Sequence, residues 1–310
     1  MLAMPRKPLR PPRLRLMNKT LLAHLALIGA QLLYGANYTI AKEAMPEYIQ
    51  PFGFVLLRCL GATVLFWLVG LFIKEKVDKK DIPKLILGGL FGIAINQLMF
   101  FKGLSLSQPI NAAVLMISTP IMVLIMASII IKERITTKKA IGIAIGMLGT
   151  LIILVAGKNL SFSSDTFLGD ILIFINATSY GVYLVIISPI MRKYHPITVI
   201  KWVFLFGLVM VAPFGYEEFA EIGWSTFPTH VIWATIYVVV GLSFFAYLFN
   251  AVALKYVSPS VVSIYIYLQP IFATVFAIML GKDHLDGIKL VSAALICVGV
   301  YLVSARAKAA

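Results

Sequence analysis

Residues 101–151 return, without a gap, as residues 251–301. At a constant offset of 150 residues Pro109 falls on Pro259, Pro120 on Pro270, Lys132 on Lys282, Glu133 on Asp283 and Gly149 on Gly299, with Leu104 on Leu254 and mostly apolar residues between. Two prolines eleven apart, then a Lys–acid pair, then a glycine exceed what apolar composition supplies by chance. Such a chain folds as two copies of one unit, an arrangement that membrane transporters use widely.

The unit belongs in a bilayer. Of 310 residues 60% are hydrophobic and 13% charged, and the mean hydropathy of +0.94 is more than a water-soluble core can hide. A spanning helix takes about 20 residues, so the length holds roughly ten or eleven spans and no separate soluble domain. The net charge of +14 is spread between apolar runs and not gathered into a patch with interleaved aromatics, which argues for positive-inside bias and against nucleic acid as a partner. Cys59 and Cys297 lie inside apolar runs as small hydrophobes, with no disulfide or metal site indicated.

The fold expected is all-α integral membrane: ten transmembrane helices in two inverted five-helix repeats around a central cavity. Residues 1–16, rich in Pro and Arg, form a disordered basic tail. Residues 17–157 make the first five-helix repeat, 158–306 the second, and 307–310 a C-terminal tail. The spans read at 20–41, 51–73, 83–105, 109–131, 138–156, 167–188, 197–213, 229–254, 258–280 and 286–304. Twenty-one of the 27 Lys and Arg fall on one side and five on the other, which places both termini in the cytoplasm and the protein in the cell (cytoplasmic, inner) membrane. Five spans per half is an odd number, so the copies are inverted. The front of each half repeats more loosely, Tyr34-Gly35 on Tyr180-Gly181 at 146 and Pro51 on Pro196 at 145.

These residues resemble the EamA-type transporters of the drug/metabolite transporter superfamily over 20–305. The motifs are Leu33-Tyr34-Gly35-Ala36-Asn37-Tyr38 followed by Lys42, with Tyr34 where the family often has Trp; Pro51 and Arg58; Ala112, Pro120 and Glu133; and Gly142 and Gly149. Pro259, Pro270, Asp283 and Gly299 answer in the second half, Asp standing where Glu is more usual. The resemblance implies a ten-helix bundle whose central cavity moves small metabolites, often amino acids or their relatives, commonly outward as an exporter.

Polar side chains deep in a span are costly and turn inward. Here they share helix faces: Gln31, Tyr34 and Asn37 or Tyr38; Asn96 and Gln97, with Gln97 aligned on Tyr247; Asn176, Ser179, Tyr180 and Tyr183; Ser243, Tyr247 and Asn250; Tyr265 and Gln269. They either line a substrate cavity or join helices through interhelical bonds. Arg58, seven residues into its span, is either a bidentate anchor for a substrate carboxylate or phosphate or an arginine that snorkels to the interface. Pro120 and Pro270 lie mid-span and should kink their helices, as hinges or as static packing. Glu133 and Asp283 are expected to pair at the interface beside Lys132 and Lys282. No Asp or Glu occurs near the middle of a span; His24 and Asp170, near span starts, are the remaining candidates for proton coupling.

A secondary transporter or permease working by alternating access, with a small-molecule solute and the lipid bilayer as partners and a monomer or homodimer as the assembly, is the first reading. An integral-membrane enzyme or a non-transport scaffold is the alternative. No phosphate loop or HExxH is present, so neither ATP hydrolysis, a cofactor nor a metal is expected.

Overall fold

The computed structural model describes residues 18–40, 47–107, 109–155, 166–281 and 284–305. The tails 1–16 and 307–310 and the Lys282–Asp283 pair lie outside the described residues. Within them the chain is helical with no strand: α1 (Lys19–Ile40), α2 (Pro51–Gly70), α3 (Lys79–Leu106), α4 (Pro109–Met116 continued by Thr119–Ile131), α5 (Thr137–Val155), α6 (Phe167–Lys193), α7 (Pro196–Ala220), α8 (Thr229–Tyr256), α9 (Pro259–Met279) and α10 (Gly287–Ser304). Nine of these are long and apolar enough to cross a membrane; α1, with 22 residues, is the tenth. Their starts follow local rules. Pro51, Pro196 and Pro259 open α2, α7 and α9, where a missing N–H costs nothing, and Asp286 caps α10 by accepting from Lys289 N at 2.8 Å.

Two boundaries depart from the expectation. α6, expected to end at 188, continues past Pro189 to Lys193, and α7 continues past Pro213 to Ala220. A single proline removes one internal hydrogen bond without ending a helix held by its neighbours, and the added turns of α7 deliver Glu218 to α2.

Packing reveals the symmetry. α5 packs on α10 and α2 on α7; α3 and α4 pack on α6, as α8 and α9 pack on α1. Exchanging the halves leaves this set unchanged, which defines a two-fold relation. Two hydrogen bonds join residues 150 apart, Gln97 Nε2 to Tyr247 Oη at 2.8 Å and Tyr267 Oη to the Ile117 carbonyl at 2.9 Å. A residue touches its own image only at the axis. Five crossings separate each helix from its image, so the images run oppositely through the bilayer and the axis lies in the membrane plane.

The α5–α10 contact is reciprocal at the backbone. A Cβ on Gly142 would stand 2.9 Å from the Gly299 carbonyl oxygen, one on Gly149 2.8 Å from that of Ser292, and one on Gly299 2.6 Å from the Gly142 oxygen and the Gly146 nitrogen. Residues 142 and 149 match 292 and 299 at the repeat offset, so each half makes the same contact.

Carboxylates tie α2 to α7 at both ends. Glu218 Oε2 accepts from Phe52 N and Gly53 N at 2.6 and 2.8 Å, capping the start of α2. At the other face Glu75 Oε2 accepts from His195 N at 2.9 Å, at the start of α7.

The two faces close differently. On the lysine-rich face Lys193 pairs with Asp78 and Asp81, Tyr194 Oη donates to Asp81 at 2.8 Å, and Lys255 Nζ donates to the Tyr194 carbonyl at 3.2 Å. The hydrogen bond and charge of Lys193 hold the Asp78 carboxyl below its usual range, so this pairing is intact above the ordinary carboxylate pKa and fades only in stronger acid. On the opposite face aromatic rings meet instead: Tyr48 with Phe227 and His230, and Trp224 with Phe219 and Phe227, at 5.6–6.4 Å between centroids. Glu133 pairs with Lys139 at 2.5 Å and not with its neighbour Lys132, because Lys132 turns the chain in the left-handed region at φ 54°.

Gly299→Ala should lower the thermal midpoint in detergent by the equivalent of about 1–3 kcal/mol, the range for overpacking, while Gly287→Ala, where a Cβ meets nothing within 4 Å, should leave it unchanged. Glu218→Ala should cost about 1 kcal/mol, as loss of a helix cap does; Glu218→Gln, which keeps an acceptor, should cost less in the same melting assay.

Candidate functional site

The axis passes through a polar and aromatic centre. Gln97 of α3 and Tyr247 of α8 meet there, 6% and 7% exposed, with the Phe204 ring edge-on to Tyr247 at 4.9 Å. Both helices widen beside this pair into π-helical stretches, Leu90–Ala94 and Tyr237–Ala246, which overlap at the repeat offset. A π stretch shifts the side-chain register. Gly92, in the first of them, leaves room for the Tyr183 ring, which a Cβ would approach to 2.4 Å.

Four tyrosines from three helices surround the centre. Tyr180 and Tyr183 of α6 lie with ring centroids 5.9 Å apart; Tyr34 of α1 lies beside the Asn250 side chain of α8; and Tyr34, Tyr180, Tyr183 and Tyr247 are near enough to interact electrostatically. Arg58 of α2 joins them, 8% exposed. Its Nε donates to Ser243 Oγ at 3.0 Å and its guanidinium lies 5.8 Å from the Phe101 centroid. The arginine therefore turns into the bundle and does not snorkel, because Ser243 on α8 offers an acceptor one helix away. Cys59, buried beside it, interacts with Tyr247.

The other polar residues join helices. Asn176 Nδ2 donates to the Asn96 carbonyl at 2.6 Å, and Asn96 Nδ2 back to the Asn176 carbonyl at 3.5 Å. Ser179 Oγ donates to the Phe91 carbonyl at 2.6 Å, inside the π stretch of α3. Gln269 Nε2 donates to Gln31 Oε1 at 2.8 Å across the α1–α9 seam. Asn37 Oδ1 is buried without a donor among the described residues.

Tyr265 stands elsewhere. Its hydroxyl is 2.7 Å from His24 Nδ1 in a cleft of about 590 Å³ between α1, α9 and α10, lined mainly by carbon from residues such as Ile28, Ile271 and Phe272. That cleft lies off the axis and has few polar groups, so it is not the central site. Asp170 accepts from Ser107 and Thr166 at the start of α6.

Both expected kinks are breaks one turn ahead of the proline. α4 is interrupted at Ile117–Ser118 before Pro120, and α9 narrows to a 3₁₀ turn over Tyr265–Leu268 before Pro270. The break in α4 frees the Ile117 carbonyl that Tyr267 bonds. Sequence reasoning did not single out Glu75, Glu218, Phe101, Phe204, Tyr267 or the π stretches; only Tyr267 had a signal, its alignment with Ile117.

Two inverted five-helix repeats with a polar centre on their common axis define a multi-pass membrane protein of the transporter class. The EamA-like transporter family matches the chain twice, over residues 21–155 and 167–305, and the chain belongs to that family. An uncharacterized transporter of Archaeoglobus fulgidus is 26% identical over 91% of this chain and 97% of its own length. The uncharacterized transporter YyaM of Bacillus subtilis is 24% identical over 92% and 94%. A probable terminal-alkyne amino-acid exporter of Streptantibioticus cattleyicolor is 25% identical over 73% and 74%. A solved crystal structure shares the fold over 90% of this chain and 95% of its own, with a TM-score of 0.74 at 20% identity.

A double-mutant cycle on Gln97→Leu and Tyr247→Phe should give a coupling of about 1 kcal/mol, as for interhelical bonds in lipid, read from unfolding midpoints. Strict additivity would mean that the bond on the axis contributes nothing.

Proposed function

We propose that the protein is a secondary transporter that moves a small polar metabolite of amino-acid size across the cell membrane by alternating access. The observation that carries this reading is the Gln97–Tyr247 pair, a polar contact between image residues at the centre of an inverted repeat. A site on such an axis stands in the same relation to both faces, because exchanging the conformations of the halves exchanges the face that is open. Tyr34, Tyr180, Tyr183, Tyr247, Gln97 and Asn250 offer phenol and amide hydrogen bonds within aromatic walls, suited to a solute with both polar and apolar parts.

In this reading the units 17–157 and 158–306 rock against each other, with the breaks before Pro120 and Pro270 absorbing the change and the termini in the cytoplasm. Export is the direction favoured by the relative named as an amino-acid exporter. Solute flux in proteoliposomes, screened over amino acids, organic anions, nucleosides and cationic drugs with and without an imposed pH gradient, tests it. Saturable flux above protein-free vesicles is expected for at least one class, reduced at least tenfold in Gln97→Leu. Flux indistinguishable from protein-free vesicles for every class would overturn the proposal.

A further inference from the structure

Arg58 brings a full positive charge to the bundle interior, and no acid among the described residues balances it. Its Nε is taken by Ser243 Oγ, whose own hydroxyl donates to the Val238 carbonyl at 3.0 Å. The two terminal nitrogens of the guanidinium have no hydrogen-bond acceptor among the described residues, and none of the carboxylates there lies within ion-pair distance. Those acids sit at helix ends: Glu47 before α2, Glu75, Asp78 and Asp81 after it, Glu133 after α4, Asp170 at the start of α6, Glu217, Glu218 and Glu221 at the end of α7, and Asp286 before α10. The groups that do face Arg58 are neutral: the Tyr34 and Tyr247 phenols, the Cys59 thiol and the Phe101 ring.

A buried guanidinium without a counter-charge is a costly group to keep in a membrane interior. Its fork of N–H donors matches a carboxylate in two-pronged geometry. Nearby, Asn250 Oδ1 is buried without a donor among the described residues. It would accept an O–H or N–H from the same bound molecule. Aromatic rings, Tyr34, Tyr180, Tyr183, Tyr247 and Phe204, supply flat apolar walls.

Resting on the transport reading above, we infer that the solute is a small organic anion: a carboxylate held by Arg58, with a neutral hydrogen-bond donor for Asn250 and an aromatic or similarly flat body between the tyrosines. The site selects by charge. An ammonium group finds no carboxylate at this centre and is repelled by Arg58, so a cation of the same shape is excluded and a zwitterion falls between.

Four probes of one shape and different charge separate these cases: 3-phenyllactate, phenylalanine, 2-phenylethanol and phenethylamine. Binding is read as the shift in melting midpoint of the full chain in lipid nanodiscs, and movement as flux in proteoliposomes. Phenyllactate should bind at least tenfold more tightly than phenethylamine. Arg58→Gln should lose that discrimination by tenfold or more, while Arg58→Lys, which keeps the charge without the fork, should retain part of it. Both variants are first checked for an unchanged size-exclusion profile, and if Arg58→Gln fails it, Arg58→Lys and the wild-type ranking decide. A wild-type ranking with phenethylamine equal to or above phenyllactate overturns the anion site, as does undiminished phenyllactate binding by Arg58→Gln. The two readings fail separately: phenethylamine flux without phenyllactate flux ends the anion assignment and leaves transport standing. Phenyllactate binding lost in Arg58→Gln, with no flux of any solute, keeps the site and ends the transport reading.

Discussion

Lipid gives two helices no reason to bury leucine against leucine, since the acyl chains are equally apolar. What holds the halves of this protein together must therefore come from close backbone approach and from polar groups that lipid cannot satisfy. Both recur here in image pairs. The glycines of α5 and α10 bring carbonyls to within contact of Cα atoms on both sides of the axis, and Gln97 and Tyr247 share a hydrogen bond on it. Because each contact is made twice or by image residues, one solution to the packing problem serves both halves.

The helices depart from regular geometry where they approach that axis. α3 and α8 carry π stretches, and α4 and α9 break before their prolines. Irregular backbone is tolerated at membrane depth only where protein buries it, and here Tyr267 and Ser179 donate to carbonyls at those places. The polar side chains thus divide into two kinds. Some, as at Gln31–Gln269, join helices; others, as at Arg58, Asn176 and Asn250, retain unused hydrogen-bonding capacity among the described residues.

Much of the fold was legible because its signals are local or repeated. Apolar runs bounded by proline or charge located the spans, and the 150-residue offset placed Gln97 opposite Tyr247 before any coordinates. The site was legible as helix faces but not as contacts. Tyr265 shares its face with Gln269, yet α9 narrows to a 3₁₀ turn between them, and the Tyr265 ring goes to His24. The direction taken by Arg58 depends on Ser243, 185 residues away. Glu75 and Glu218 carry no sequence signal of their role, since capping another helix depends on where that helix begins in space. Pro213 read as an end because sequence shows the lost hydrogen bond and not the neighbours that compensate for it.

The unlike closures of the two faces carry a consequence for how each responds to dissolved salt. Dissolved ions screen charges that lie near water and leave ring contacts untouched, so added electrolyte loosens the Lys193 grip on Asp78 and Asp81 while the Tyr48, Trp224 and Phe227 rings hold. Ionic strength on the lysine-rich side therefore acts on one closure alone, and the two faces, though built from two copies of one unit, are not held together by the same forces.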